Sequence, residues 1–193
     1  AGWTLPDAVL TLTDRLILIE PNPLAVWLLQ RRLRQLAPAA VVAADARDYF
    51  ADAAGPGELR AAYGNDLLLF CNLLGQLRLI STPERYLAMR GVLREMLAVT
   101  GLAWVSYHDR LSADQAPVLR EEAAPRRLTD AECRTRFFPG LALDEMDEHD
   151  TESLFPAVLP ATFLTWQLLP HRYHLIELCG SPLPAIDGGG GGC

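Results

Sequence analysis

The stretch Arg15-Leu16-Ile17-Leu18-Ile19-Glu20-Pro21-Asn22-Pro23 decides how the rest of this chain is read. A short run of Ile and Leu without polar alternation predicts a strand buried on both faces. Glu20 then stands at the carboxyl end of that strand, where open α/β sheets bind their ligands. A carboxylate in that position accepts hydrogen bonds from the two neighbouring hydroxyls of a ribose. The stretch therefore points to a nucleoside-containing cofactor. The plainer alternative is an acidic strand end that caps the following helix.

Outward from this strand, the chain alternates. Leu5 to Thr13 suits a short helix, with Pro6 and Asp7 in its first turn. Leu24 to Leu36 carries apolar residues near helical spacing opposite a face of arginines, and Pro38 closes it. A second strand is expected over Ala40 to Ala44, ending on Asp45, and a helix around Glu58 to Tyr63. A third strand, Asp66 to Phe70, leads into Cys71-Asn72-Leu73-Leu74-Gly75-Gln76, read as a strand-to-helix turn. Thr82 and Pro83 start a helix that runs to about Ala98. Leu102 to Tyr107 forms a fourth strand, which puts His108 and Asp109 at its rim. This rhythm predicts parallel βαβ units. Thr162 to Leu168 and Arg172 to Leu178 break it, because the connection between them is too short to cross over; they predict an antiparallel hairpin.

Composition narrows the function classes. The chain has 193 residues and is 50% hydrophobic, enough for one domain with a substantial core. No apolar run approaches the roughly 20 residues of a membrane span, and without a basic n-region and small-residue cleavage site at Ala1 a secretory leader is not expected. The net charge of −7 argues against a nucleic-acid backbone as partner. The fixed positive charge is all arginine, which reflects gene composition more than function. Cys71, Cys133, Cys179 and Cys193 show no metal-ligand spacing and read as reduced thiols, which suggests a cytoplasmic protein. The tail from Ser181, with its run Gly188 to Cys193, reads as a flexible linker.

The layout resembles that of class I S-adenosylmethionine-dependent methyltransferases, over nearly everything from Ala1 to Gly180. The resemblance implies an α/β fold: a mostly parallel Rossmann-like sheet flanked by helices, ending in an antiparallel β-hairpin. It implies S-adenosylmethionine as cofactor and methyl transfer to an N or O nucleophile of a small molecule or protein side chain. On that basis Glu20 would hold the ribose hydroxyls. Asp45 and Ala46 would face the adenine, and Asn72 and Leu73 would line the methionine side and the substrate entrance. Gly2 would be the last glycine of the family's glycine-rich loop. The strand before that loop is not in the sequence, and is expected upstream of Ala1 or from a second copy or partner chain.

For the chemistry, His108 at the rim and His149 in the acidic run Asp144 to Glu152 are the candidates to take a proton. That run lies in an insert of about residues 109–161, and its plainer reading is a solvated loop. No metal site is expected from it. Tyr173 and His174 alternate across a strand and read as packing. Hydrolase, kinase and thiol-redox motifs do not occur. Two alternatives stay open: a non-catalytic methyltransferase-like scaffold, and a nicotinamide-dependent oxidoreductase in which Glu20 keeps its ribose role.

Overall fold

A computed structural model describes residues 14–36, 39–52, 54–98 and 102–181. Gly2, the helix expected over Leu5 to Thr13 and the glycine-rich tail lie outside these residues. The described chain is an α/β structure with mixed sheet pairing.

β1 (Arg15–Ile19) and β2 (Val41–Asp45) pair in parallel, from Arg15 opposite Val41 to Ile19 opposite Asp45. The helix α1 (Pro23–Leu36) crosses between them. Its start is specified locally. Asn22 Oδ1 accepts the backbone N–H of Leu24 at 3.0 Å, and Pro23 follows where no N–H is needed. β1 is not buried on both faces as its composition suggests. Leu18 is buried and its neighbours are partly covered or exposed, because β2 is its one strand neighbour among the described residues.

Next come α2 (Gly55–Tyr63), β3 (Leu68–Cys71), α3 (Leu73–Ile80) and α4 (Pro83–Ala98). α3 is a full helix where the sequence indicated only a turn. The remaining elements are β4 (Trp104–Ala113), β5 (Glu121–Ala124), α5 (Asp130–Phe137), β6 (Met146–Glu148), β7 (Ala161–Leu169) and β8 (Arg172–Gly180).

In the larger sheet the order is β3-β4-β8-β7-β5, with β6 paired to the far end of β4. β3 and β4 run parallel, and β8 is antiparallel to both β4 and β7. β4 and β7 therefore point the same way with β8 reversed between them. β7 and β8 join through Pro170 and His171, whose φ of 66° supplies the left-handed turn conformation. Past Tyr107 the edge of β4 that faced β3 is taken over by β6, through Leu111–Glu148, Ser112–Asp147 and Ala113–Met146. The expected insert thus supplies strands to the sheet, and Asp144 to Glu152 contains β6 and a buried His149 rather than a solvated loop.

β4 is also longer than the sequence indicated: it continues through His108 and Asp109 to Ala113. Its pairing with β8 shifts between Asp109 and Leu111, a β-bulge at Arg110. Before the bulge His108 opposes Glu177 and Asp109 opposes Ile176; after it Leu111 opposes Leu175 and Ser112 opposes His174. Strand residues alternate sides, so the extra residue puts His108 and Leu111 on one face and Asp109 and Ser112 on the other.

The first of these faces is a core built around charge. Glu177 is fully buried and accepts from Arg127 at 2.6 and 3.0 Å and from Arg110. Arg110 also reaches Asp130 and the Leu128 carbonyl. Arg127 donates at 2.9 Å to the carbonyls of Glu152 and Phe155. Burial pushes the Glu177 carboxyl up, but the contacts of His108 and Arg127 and the charge of Arg110 hold it far below the usual range. Burial keeps His108 neutral, its ring stacked on Phe155. His108 is thus a core residue and not a rim residue; the expectation for it fails because the strand does not end there.

Both shifts carry the same sign. The unfolded chain protonates His at about pH 6.5 and Glu at about 4.3, while the folded chain resists both protons. Stability is therefore expected to fall as pH drops below about 6.5 and more steeply below about 4.3. Removing Glu177 leaves two guanidinium groups without their shared anion, and Glu177→Ala is expected to lose about 3–5 kcal/mol. Urea unfolding of both proteins across pH measures the two effects, and a Glu177→Ala midpoint equal to that of the wild type would show the network to be inert.

Candidate functional site

The other face of β4 looks into a cavity of about 800 Å³, within the size range of small-molecule sites. Asn72, Gln76, Asp109, Ser112, His149 and His174 line it, together with Trp166 and Arg172. It opens where β3 gives way to α3, so it lies at the carboxyl end of a parallel strand.

Asp109 is the centre of this wall. Its Oδ2 accepts from Asn72 Nδ2 and Gln76 Nε2, each at 2.9 Å. Asn72 Oδ1 in turn accepts the Asp109 backbone N–H at 2.9 Å. This two-way grip needs Asn72 at the helix N-cap with φ 53°, a left-handed conformation that Asn tolerates better than most residues. Asp109 Oδ1 is buried and has no aligned hydrogen bond. His174 Nδ1 lies 3.3 Å from it, close enough for an ion contact, but not aligned as a donor. Burial raises the Asp109 carboxyl, and the contacts of His174 and Asn72 outweigh that and hold it below the usual carboxylate range.

His149 is held from the opposite side. Its Nδ1 is 3.1 Å from the Gly75 carbonyl, which can only accept, so in the neutral ring Nδ1 carries the proton and Nε2 the lone pair. Nε2 is 3.3 Å from Ser112 Oγ, which itself accepts from Arg172 at 2.9 Å. Arg172 is balanced by Asp114 and Asp147. Donor atoms of Asp109, His149 and His174 all fall within 4.8 Å of one another.

The remaining sequence candidates are placed as follows. Glu20 follows β1 directly: its N–H donates to the Asp45 carbonyl at 3.0 Å, and its Oε1 accepts the Asn22 N–H at 2.9 Å. Among the described residues its Oε2 accepts nothing. Asp45 ends β2 beside it, but its carboxylate is already engaged by Arg47, by Tyr49 at 2.8 Å and by Tyr63 at 2.8 Å. The Arg47 guanidinium, with the two tyrosines, holds it far below the usual carboxylate range. Ala46 is exposed. Leu73 starts α3 and packs on the main core. Asn72 and His149 thus share one cavity, while His108 is buried on the opposite side of β4.

Sequence reading missed Asp109, Ser112, Gln76 and His174 as members of one site. The single usable signal was the polar density of Ser106 to Asp114 after an apolar start, which a bulged strand explains better than a loop. No known protein family matches the sequence, and no curated protein does either.

α3 approaches β4 so closely that a Cβ at position 75 would meet the Asp109 backbone N at 2.7 Å and Asn72 Oδ1 at 2.9 Å. Gly75→Ala is therefore expected to destabilise by about 1–3 kcal/mol and to displace the carbonyl that holds His149. A urea midpoint unchanged from wild type would show that the helix has room that this packing denies it.

Proposed function

We propose that this chain is an S-adenosylmethionine-dependent methyltransferase domain acting on an N or O nucleophile of a small molecule or protein side chain. The observation that carries the reading is the antiparallel pair β7–β8 joined to the parallel pair β3–β4, since the resemblance implies a parallel sheet that ends in an antiparallel hairpin. The carboxylates Glu20 and Asp45 at the adjacent ends of two parallel strands support it.

The fit of the cofactor is uneven. Glu20 has the oxygen and the position for a ribose diol. Asp45 would have to give up Arg47 or a tyrosine to meet an adenine amino group. When bound, S-adenosylmethionine supplies an electrophilic methyl on a sulfonium. Glu20 would hold its ribose, and Asn72 and Leu73 would border its reactive end. On the acceptor side the cavity wall does the work. Trp166 and Leu143 offer apolar surface, and Nε2 of His149 or the His174–Asp109 pair receives the acceptor's proton as its lone pair attacks. Positioning in line supplies much of the rate in such displacements. His108, buried against Glu177, takes no part.

The saturated carboxylate of Asp45 favours a second reading, a methyltransferase-like scaffold that binds no nucleoside. Calorimetric titration with S-adenosylhomocysteine separates the two. The enzyme reading expects micromolar binding that Glu20→Ala weakens by about tenfold or more, roughly 1.4 kcal/mol. A folded longer form that includes the strand before the glycine-rich loop and still binds none leaves the scaffold.

A further inference from the structure

We infer that Asp109, His149 and His174 form a binding site for one divalent first-row transition ion, Zn(II), Mn(II) or Fe(II) in kind. The site faces the cavity that the methyltransferase reading assigns to the acceptor, but ion binding is independent of whether that reading holds.

Four observations converge on it. Three ligands of two suitable types, one carboxylate and two imidazoles, come from β4, the end of β6 and β8, with donor atoms within 4.8 Å of one another. One of those donors, Asp109 Oδ1, is a buried carboxylate oxygen with no hydrogen bond, and Asp109 is 2% exposed. Its ion contact, His174 Nδ1 at 3.3 Å, is not aligned as a donor, so a buried anionic oxygen is left without a hydrogen bond. The ligands also have the outer support that bound metals need. Asn72 and Gln76 hold Asp109 Oδ2 and so orient Oδ1, and the Gly75 carbonyl takes His149 Nδ1–H and so leaves Nε2 as the ligating atom. Finally, the cluster lies on a cavity wall, which leaves coordination positions open to water or a ligand.

The charges around the site permit a cation. Arg172 lines the cavity and is paired with Asp114 and Asp147. Arg78 also lines the cavity and donates to the Glu148 carbonyl. The comparable group on the opposite face, His108, Glu177 and Cys179, is excluded, since Arg110 and Arg127 already fill the space around Glu177. With an ion bound, the two imidazoles coordinate instead of accepting a proton. A bound ion would supply Lewis acidity at the cavity wall, in place of the histidine route for deprotonating an acceptor.

Cobalt(II) chloride is the probe, titrated into the full chain without any nucleoside and followed by calorimetry and visible absorption. One equivalent is expected to bind, with d–d bands of nitrogen and oxygen coordination and without a thiolate charge-transfer band. His149→Gln and His174→Gln are each expected to weaken binding by at least about tenfold, while the exposed His171→Gln binds as wild type. Circular dichroism of each variant checks folding, and the two histidine variants avoid the structural load on Asp109. No binding by the folded wild type, a thiolate band, or equal binding in all three variants would overturn the site. Ion binding, with no S-adenosylhomocysteine binding even by a longer form that includes the strand before the glycine-rich loop, would leave the site standing and remove the methyltransferase reading.

Discussion

Glu177 is the residue on which this arrangement turns. A carboxylate with no solvent exposure persists in a protein interior only when fixed cations surround it, and here two guanidinium groups converge on it from different parts of the chain. Arg110 comes from β4, and Arg127 from the segment that leads into α5. Arg127 also donates to carbonyls in the 151–155 turn. One buried anion thereby ties the central strand pair to both halves of the segment between β4 and β7. Two cations meet the anions Glu177 and Asp130, with the more exposed Glu152 at 3.9 Å from Arg110. The network's contribution is to fix which elements meet, since a well-packed apolar cluster would stabilise at least as well.

The same residue pair accounts for the cavity. Arg110 is the extra residue of the β4 bulge, and its guanidinium belongs to the network on the buried face. The bulge resets the alternation of the strand, so that Asp109 and Ser112 come to lie on the face opposite the network. Two histidines of one strand pair consequently have opposite fates. His108 is stacked on Phe155 and neutral within the core, whereas His174 stands beside a buried carboxylate at the cavity wall. The electrostatics of the two faces differ in kind as well. On one the anion is saturated by arginine; on the other it is oriented by two amides, with one oxygen left without an aligned donor.

Much of the element order was legible from the sequence, since β1, α1, β2, α4 and the strands of the terminal pair carry strong local signals. α1 has an amphipathic pattern and the Asn22–Pro23 start, and both are decided within a few residues. What was not legible depended on distant partners. His108 and Asp109 read as the rim of the strand because charged groups seldom sit inside one; their partners Glu177 and Asn72 lie far away in the chain. α3 is short and opens on a left-handed Asn72, so its pattern resembled a turn. β5 is Glu-rich at its start and pairs along the outer side of β7, where charge is tolerated. For the site, His149 was legible as a polar candidate, but its companions were not. A bulge changes which side chains share a face, and no periodicity announces it.

The face assignment that follows from the bulge is the central claim, and nuclear Overhauser contacts of the His174 ring test it most directly. The structure predicts cross-peaks from the His174 ring protons to the β-protons of Ser112 and Asp109, with Leu111 methyl contacts going to the opposite, buried side. An unbulged β4 would place Leu111 opposite His174 and Ser112 opposite Tyr173. Cross-peaks from the His174 ring to the Leu111 methyls, with none to Ser112, would contradict the account, because Asp109, Ser112 and His174 would then no longer line one cavity.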